Sequence, residues 1–99
     1  MSTDVNIDEK VDTTTTEPGR FNVVFLNDDA TPMEWVIELL KQIFRHPQST
    51  AEKLMMKVHT EGSAVVGTYS FEIAEQKAHE AIDASRKNGF PLRARVEDE

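Results

Sequence analysis

The sequence predicts an α/β fold: a compact two-layer domain in which three helices cover one face of a three-stranded antiparallel sheet. Three observations predict it. Segments with strand character and segments with helical periodicity alternate in the order strand, helix, helix, strand, helix, strand. Each helical segment carries one apolar stripe, and one sheet face is the simplest surface that buries all the stripes. The length, 99 residues, fits one small domain.

Taken in order, residues 1–18 form an extension and residues 19–99 the core. The extension holds five acids (Asp4, Asp8, Glu9, Asp12, Glu17) against Lys10, together with the run Thr13-Thr14-Thr15-Thr16. Its apolar content is too small to offset the entropy of ordering, so it is expected to be disordered. Residues 20–26, Arg20-Phe21-Asn22-Val23-Val24-Phe25-Leu26, are rich in β-branched and aromatic side chains and form a buried strand. Asn27-Asp28-Asp29 breaks it with turn-forming side chains. Thr31-Pro32-Met33-Glu34 then opens a helix, with Thr31 as cap, Pro32 at the first helical position and Glu34 completing a capping box. Met33, Val36, Ile37, Leu40 and Phe44 recur at helical spacing, and the helix is expected to end near His46-Pro47.

Ser49 and Glu52 offer a second capping box. The helix they open carries Leu54, Met55, Val58 and His59 and stops at Gly62. Ala64-Val65-Val66-Gly67-Thr68-Tyr69 reads as the second strand. A third helix starts near Ser70, with Phe71, Ala74, Ala78 and Ile82 on one stripe, and ends at Asn88-Gly89. Leu92, Ala94 and Val96 then alternate with Arg93, Arg95 and Glu97, the pattern of a half-buried last strand.

Composition narrows the function. A net charge of -7 disfavours nucleic acid and anionic lipid as partners, and permits a partner with a positive group such as a free amine. The chain has no cysteine, hence no disulfide and no thiolate metal site. No apolar run approaches the roughly 20 residues that span a bilayer. The first residues lack a secretory pattern, so the cytoplasm is the expected location.

Several residues could carry chemistry, and each has a plainer role beside the functional one. Asn27-Asp28-Asp29 serves as turn chemistry, and its two acids also suit the positive end of the following helix. It lacks the spacing of a calcium loop. His59 lies one turn after Met55 on the same helix face, either as a hydrogen-bonded structural histidine or as a ligand. His46 and His79 are not at ligand spacing from it, so no metal is expected. Met33, Val36, Met55 and Leu92 serve as core, or as pocket walls for an aromatic guest. Glu72, Glu75 and Lys77 serve as a solvated helix face. No serine or cysteine nucleophile stands in a recognisable motif, so an enzyme is not expected.

These residues together resemble a known family. Phe25-Leu26-Asn27-Asp28-Asp29-Ala30-Thr31-Pro32-Met33-Glu34-Trp35-Val36 closely resembles the segment that marks ClpS, the bacterial adaptor of the N-end rule pathway. Leu54 to Gly62 resembles its second motif, Glu72-Ile73-Ala74-Glu75-Gln76-Lys77 its third, and Phe90-Pro91-Leu92 the approach to its last strand. The resemblance spans about residues 20–97. It implies a non-catalytic, cofactor-free adaptor with a fold like the C-terminal domain of ribosomal protein L7/L12. Such an adaptor binds proteins whose free N-terminal residue is Leu, Phe, Tyr or Trp and delivers them to the ClpA unfoldase, or a relative, for degradation by ClpAP.

Carried over by position, the resemblance implies that Asn27, Asp29 and His59, with Asp28 beside them, bind the substrate α-amino group. It implies that Thr31, Met33, Val36, Met55, Val58 and Leu92 wall the side-chain pocket, with Met33 as gatekeeper. Glu72, Glu75 and Lys77 match part of the unfoldase-docking surface. Ala30 stands where many members carry tyrosine, and Trp35 where phenylalanine or tyrosine is usual. Two other classes remain: an L7/L12-like structural or ribosome-associated interaction domain, and a small hydrolase using His59 and Asp29.

Overall fold

Strand β1 occupies Phe21–Leu26 and lies at the centre of the sheet in the computed structural model, which describes residues 19–99. The extension expected over residues 1–18 lies outside the described residues. β2 (Ser63–Tyr69) pairs with one edge of β1 and β3 (Arg93–Asp98) with the other, both antiparallel. Side chains alternate across a strand, so Val23 and Phe25 share a face, and both are fully buried. Phe25 lies opposite Ala64 on one side and Ala94 on the other. The neighbours are small where the central strand is large, which gives the ring room beneath the helices.

The helices are α1 (Met33–Gln42), α2 (Gln48–Glu61) and α3 (Phe71–Lys87). Val36, Leu39 and Leu40 of α1, Ala51, Met55 and Val58 of α2, and Ala74, Ala78 and Ala81 of α3 form one cluster with Val23, Phe25, Ala64, Val66 and Leu92. All three helices therefore lie on the same face of the sheet. On α3 the buried stripe is alanine, ending at Ser85, so the helix axis comes close to the strands. Buried Ser85 is satisfied twice: its hydroxyl donates to the Ala81 carbonyl at 2.8 Å and accepts the Trp35 indole N–H at 2.8 Å.

The expected element order is the observed one, while several local devices differ. Thr31 does not cap α1, and no side chain does; the cap position falls on Pro32. The Thr31 hydroxyl is committed instead to Asp28, so the expected box with Glu34 does not form. Likewise Ser49 lies inside α2, whose cap position is Pro47, and Glu52 accepts from the Gln48 side chain at 2.7 Å. Helix α1 ends at Gln42, before His46-Pro47. The His46 N–H reaches back to the Leu40 carbonyl at 3.0 Å across Arg45, which sits in the left-handed region at φ 61. Phe71 and Ile82 are not in the buried stripe of α3. Phe71 is half exposed and packs edge-on to Phe21, and Ala81 and Ser85 occupy the inner line.

Candidate functional site

The site begins where β1 stops. Leu26 pairs with Ser63, and one residue further the Asn27 N–H donates to the Gly62 carbonyl at 2.9 Å. Gly62 ends α2 in the left-handed conformation (φ 90), a position that favours glycine. Since Gly62 lies three residues after His59, this one bond brings the loop after β1 to the last turn of α2. That is how Asn27 and His59, distant in sequence, come to line one concavity.

Asp28 shapes the loop. Its Oδ1 accepts the backbone N–H groups of Ala30 and Thr31, each at 2.8 Å, and its Oδ2 accepts the Thr31 hydroxyl at 2.8 Å. This is side-chain mimicry of a backbone turn, the chemistry that suits aspartate between a strand and a helix. Burial pushes the Asp28 carboxyl up. The Thr31 hydroxyl, the Ala30 and Thr31 N–H groups and the charge of Arg93 outweigh that and hold it below the usual carboxylate range. With Asp28 so engaged, Asp29 stands exposed at the tip, and no ion pair among the described residues occupies its carboxylate.

The concavity has a volume of ≈ 270 Å³ and is lined by Asn27, Asp28, Asp29, Thr31, Pro32, Met33, Val36, Met55, Val58 and His59. Its walls grade from wet to dry. Asp29 and His59 are exposed, whereas Val36, Met55 and Val58 belong to the core. Met33, on the first turn of α1, is 40% exposed, which places an unbranched, adaptable side chain at the mouth. A dry cavity of roughly 150 Å³ accommodates benzene, so this one has room for a phenyl or leucyl group. The arrangement offers three acceptors of different geometry beside an apolar hole. Among the described residues no cluster of His, Cys, Asp or Glu could hold a metal ion, and no helix is long and apolar enough to cross a membrane.

Of the ten residues singled out for substrate contact, the concavity gathers Asn27, Asp28, Asp29, His59, Thr31, Met33, Val36, Met55 and Val58. Leu92 is not among its walls; it is 1% exposed and lies in the core cluster with Met55 and Val58. Pro32 does line it, a contribution that its helix-start position conceals in the sequence. Glu72 and Glu75 are exposed on α3. Lys77 is tethered: its Nζ donates to the Ile43 carbonyl at 2.8 Å and lies 5.4 Å from the centre of the Tyr69 ring.

Comparison with known proteins agrees with this geometry. The family model described as "ATP-dependent Clp protease adaptor protein ClpS" matches residues 16–95. The ATP-dependent Clp protease adapter protein ClpS of Treponema denticola is 46% identical over 81 residues, which cover 82% of this chain and 80% of that protein. The ClpS of Maricaulis maris is 41% identical over 85 residues, 86% of this chain and 78% of that one. Among solved structures, Agrobacterium tumefaciens ClpS2 bound to L-phenylalaninamide superposes with a TM-score of 0.81 at 44% identity, covering 84% of this chain and 100% of that chain. On sequence and fold together, the chain belongs to the ClpS family of ATP-dependent Clp protease adaptors.

Proposed function

We propose that the chain captures proteins through a free, bulky hydrophobic N-terminal residue (Leu, Phe, Tyr or Trp) and delivers them to a Clp unfoldase, ClpA or a relative, for degradation by ClpAP in the cytoplasm. The observation that carries this reading is a single concavity joining Asn27, Asp29 and His59 to the apolar walls of Val36, Met55 and Val58.

An N-terminal α-amino group has a pKa of about 7.7–8.0, so at neutral pH it is mostly an ammonium with three donors. Asn27 offers it an amide oxygen, Asp29 a carboxylate and the His59 imidazole a ring nitrogen. Each charge-assisted hydrogen bond contributes roughly 1.5–3 kcal/mol. Only one full charge has to be desolvated against the ammonium, which limits the cost. Fully burying a Leu or Phe side chain adds roughly 1.5–3 kcal/mol. Neither half overcomes the cost of association alone, so the site reads two conditions at once: a free amine and a bulky side chain.

Asp28 acts behind this contact. Its three hydrogen bonds hold the loop that presents Asp29, and its negative charge favours an ammonium nearby. Met33 at the mouth is the group that a β-branched first residue would meet. Leu92 belongs to the same core cluster as Met55 and Val58. The ligand on the Agrobacterium relative, L-phenylalaninamide, supports the reading: it pairs a free amine and a benzyl group with an amide where a peptide would continue. Docking to the unfoldase is assigned to Glu72 and Glu75 with Lys77. These α3 residues take no part in the concavity, so substrate and unfoldase can be held together. Recognition requires no covalent step, which suits an adaptor.

A degradation assay tests the proposal. Two reporters identical except for a first residue of Phe or Met are incubated with ClpAP, with and without the full chain. The chain is expected to accelerate loss of the Phe reporter and to leave the Met reporter unaffected. Equal rates for the Phe reporter with and without the chain would reject the adaptor function.

A further inference from the structure

Beside the first-residue pocket lies a second, more open concavity, lined by Asp28, Arg86, Gly89, Phe90, Pro91 and Arg93. The two share Asp28 as a common wall. An extended chain advances roughly 3.3–3.6 Å per residue, so a substrate that leaves the first pocket over Asp28 would bring its second or third residue to this shelf. We propose that the shelf is a subsite for an acidic side chain at the second or third position of the substrate. This rests on the proposed capture of a free N-terminal residue, and narrows it to bulky first residues followed closely by Asp or Glu.

Charge carries the argument. The chain as a whole is acidic, at -7, yet here two guanidiniums face a single carboxylate. That carboxylate, Asp28, already accepts three hydrogen bonds within its own loop. Arg93 is near enough to help hold the Asp28 carboxyl low, but makes no ion pair with it. The ion pairs among the described residues involve Arg20, Lys41, Lys87 and Arg95, and leave out both Arg86 and Arg93. Arg86 is nonetheless positioned, because its Nη2 donates to the Leu92 carbonyl at 3.2 Å. Among the described residues its guanidinium makes no other side-chain bond, so the remaining edge can face a ligand. A guanidinium fork matches a carboxylate in two parallel hydrogen bonds, which a neutral amide cannot reproduce. The shelf sits at the surface, so the effect is moderate and screened by salt.

The test uses the full chain and fluorescence anisotropy with free-amine peptides starting with Phe. The second or third residue is Glu, Gln or Lys, and the rest is constant. Glu is expected to bind about two- to fivefold tighter than Gln at one of the two positions in low salt, the upper range of an exposed ion contact. Lys should bind weaker than Gln, and the spread should shrink as salt is raised. In Arg93→Gln the Glu-to-Gln ratio should fall toward one. In Arg93→Glu the preference should invert in favour of Lys, a sign change that loss of folding cannot produce. Equal binding of the Glu and Gln peptides at both positions, while both still bind, would overturn the subsite and leave the first-residue pocket standing. Absence of binding by every free-amine Phe peptide would overturn both.

Discussion

The loop Asn27–Thr31 and helix α3 are held to the same sheet by opposite means. Helix α3 is fixed chiefly by burial: Ala74, Ala78 and Ala81 are at most 6% exposed and pack on the strands, with side-chain bonds of Lys77 to Ile43, Ser85 to Trp35 and Arg86 to Leu92 as additional ties. The loop buries little, and is fixed by the Asn27–Gly62 bond and the three bonds to Asp28. Burial stabilises without regard to direction, whereas hydrogen bonds set direction and stabilise less. The difference divides the molecule into a region that holds the fold and a region that aims polar groups at a ligand. Changes to one should therefore leave the property of the other alone.

The largest expected effect is on the stability side. Ala81→Leu forces a larger side chain against the sheet, and overpacking of this kind costs roughly 1–3 kcal/mol. In a domain of this size that lowers Tm by about 4–8 °C per kcal/mol, read by thermal melting. Peptide affinity at a temperature where the variant remains folded should be unchanged; a parallel loss of affinity would show that the two regions are coupled. Next comes His59→Ala, which removes one acceptor of the ammonium from an exposed position. Affinity for a Phe-starting peptide should fall about tenfold or more, the equivalent of one charge-assisted hydrogen bond. Tm should stay within the small range expected of surface substitutions. A large fall in Tm with intact affinity would make His59 a structural histidine instead.

Asp28→Ala is the intermediate case, because Asp28 belongs to the loop but acts through structure. It should cost about 1 kcal/mol of stability and a severalfold loss of affinity, since Asp29 is no longer held at the tip. The same residue gives a pH signature. Its folded pKa lies below the ordinary value, so its contribution is present above the unfolded pKa of about 3.9 and is lost as pH falls through the folded value. Thermal melts from about pH 5 downward should show a steeper loss in the wild-type chain than in Asp28→Ala. Equal slopes would mean that the loop bonds contribute nothing to stability.

Much of this division was legible in the sequence, and what was hidden has a physical reason. Alternating periodicity located the elements because each pattern fits only one way of burying an apolar face. Gly62 announced the end of α2 because the left-handed position favours glycine. The same left-handed turn after α1 is occupied by Arg45, so its early stop carried no glycine signal. Thr31 and Ser49 misled because a hydroxyl before a helix can cap it or bond elsewhere, and local spacing does not distinguish the two. At the site, the convergence of Asn27 with His59 depends on one backbone bond to Gly62, and residue identity carries no trace of it. The resemblance to ClpS supplied that pairing. Leu92 was assigned as a wall on the same ground, whereas the structure places it in the core, out of the lining.

The central claim is that an ammonium and an apolar side chain are read together in one concavity. The most direct test compares two peptides with the same Phe-starting sequence, one with a free α-amine and one acetylated, by fluorescence anisotropy with the full chain. Acetylation removes the charge and two of the three donors while leaving the benzyl group. Binding should fall by about a hundredfold or more, as expected when two or more charge-assisted hydrogen bonds are lost. Equal affinity for the two peptides would contradict the account, because it would leave Asn27, Asp29 and His59 without a ligand to hold.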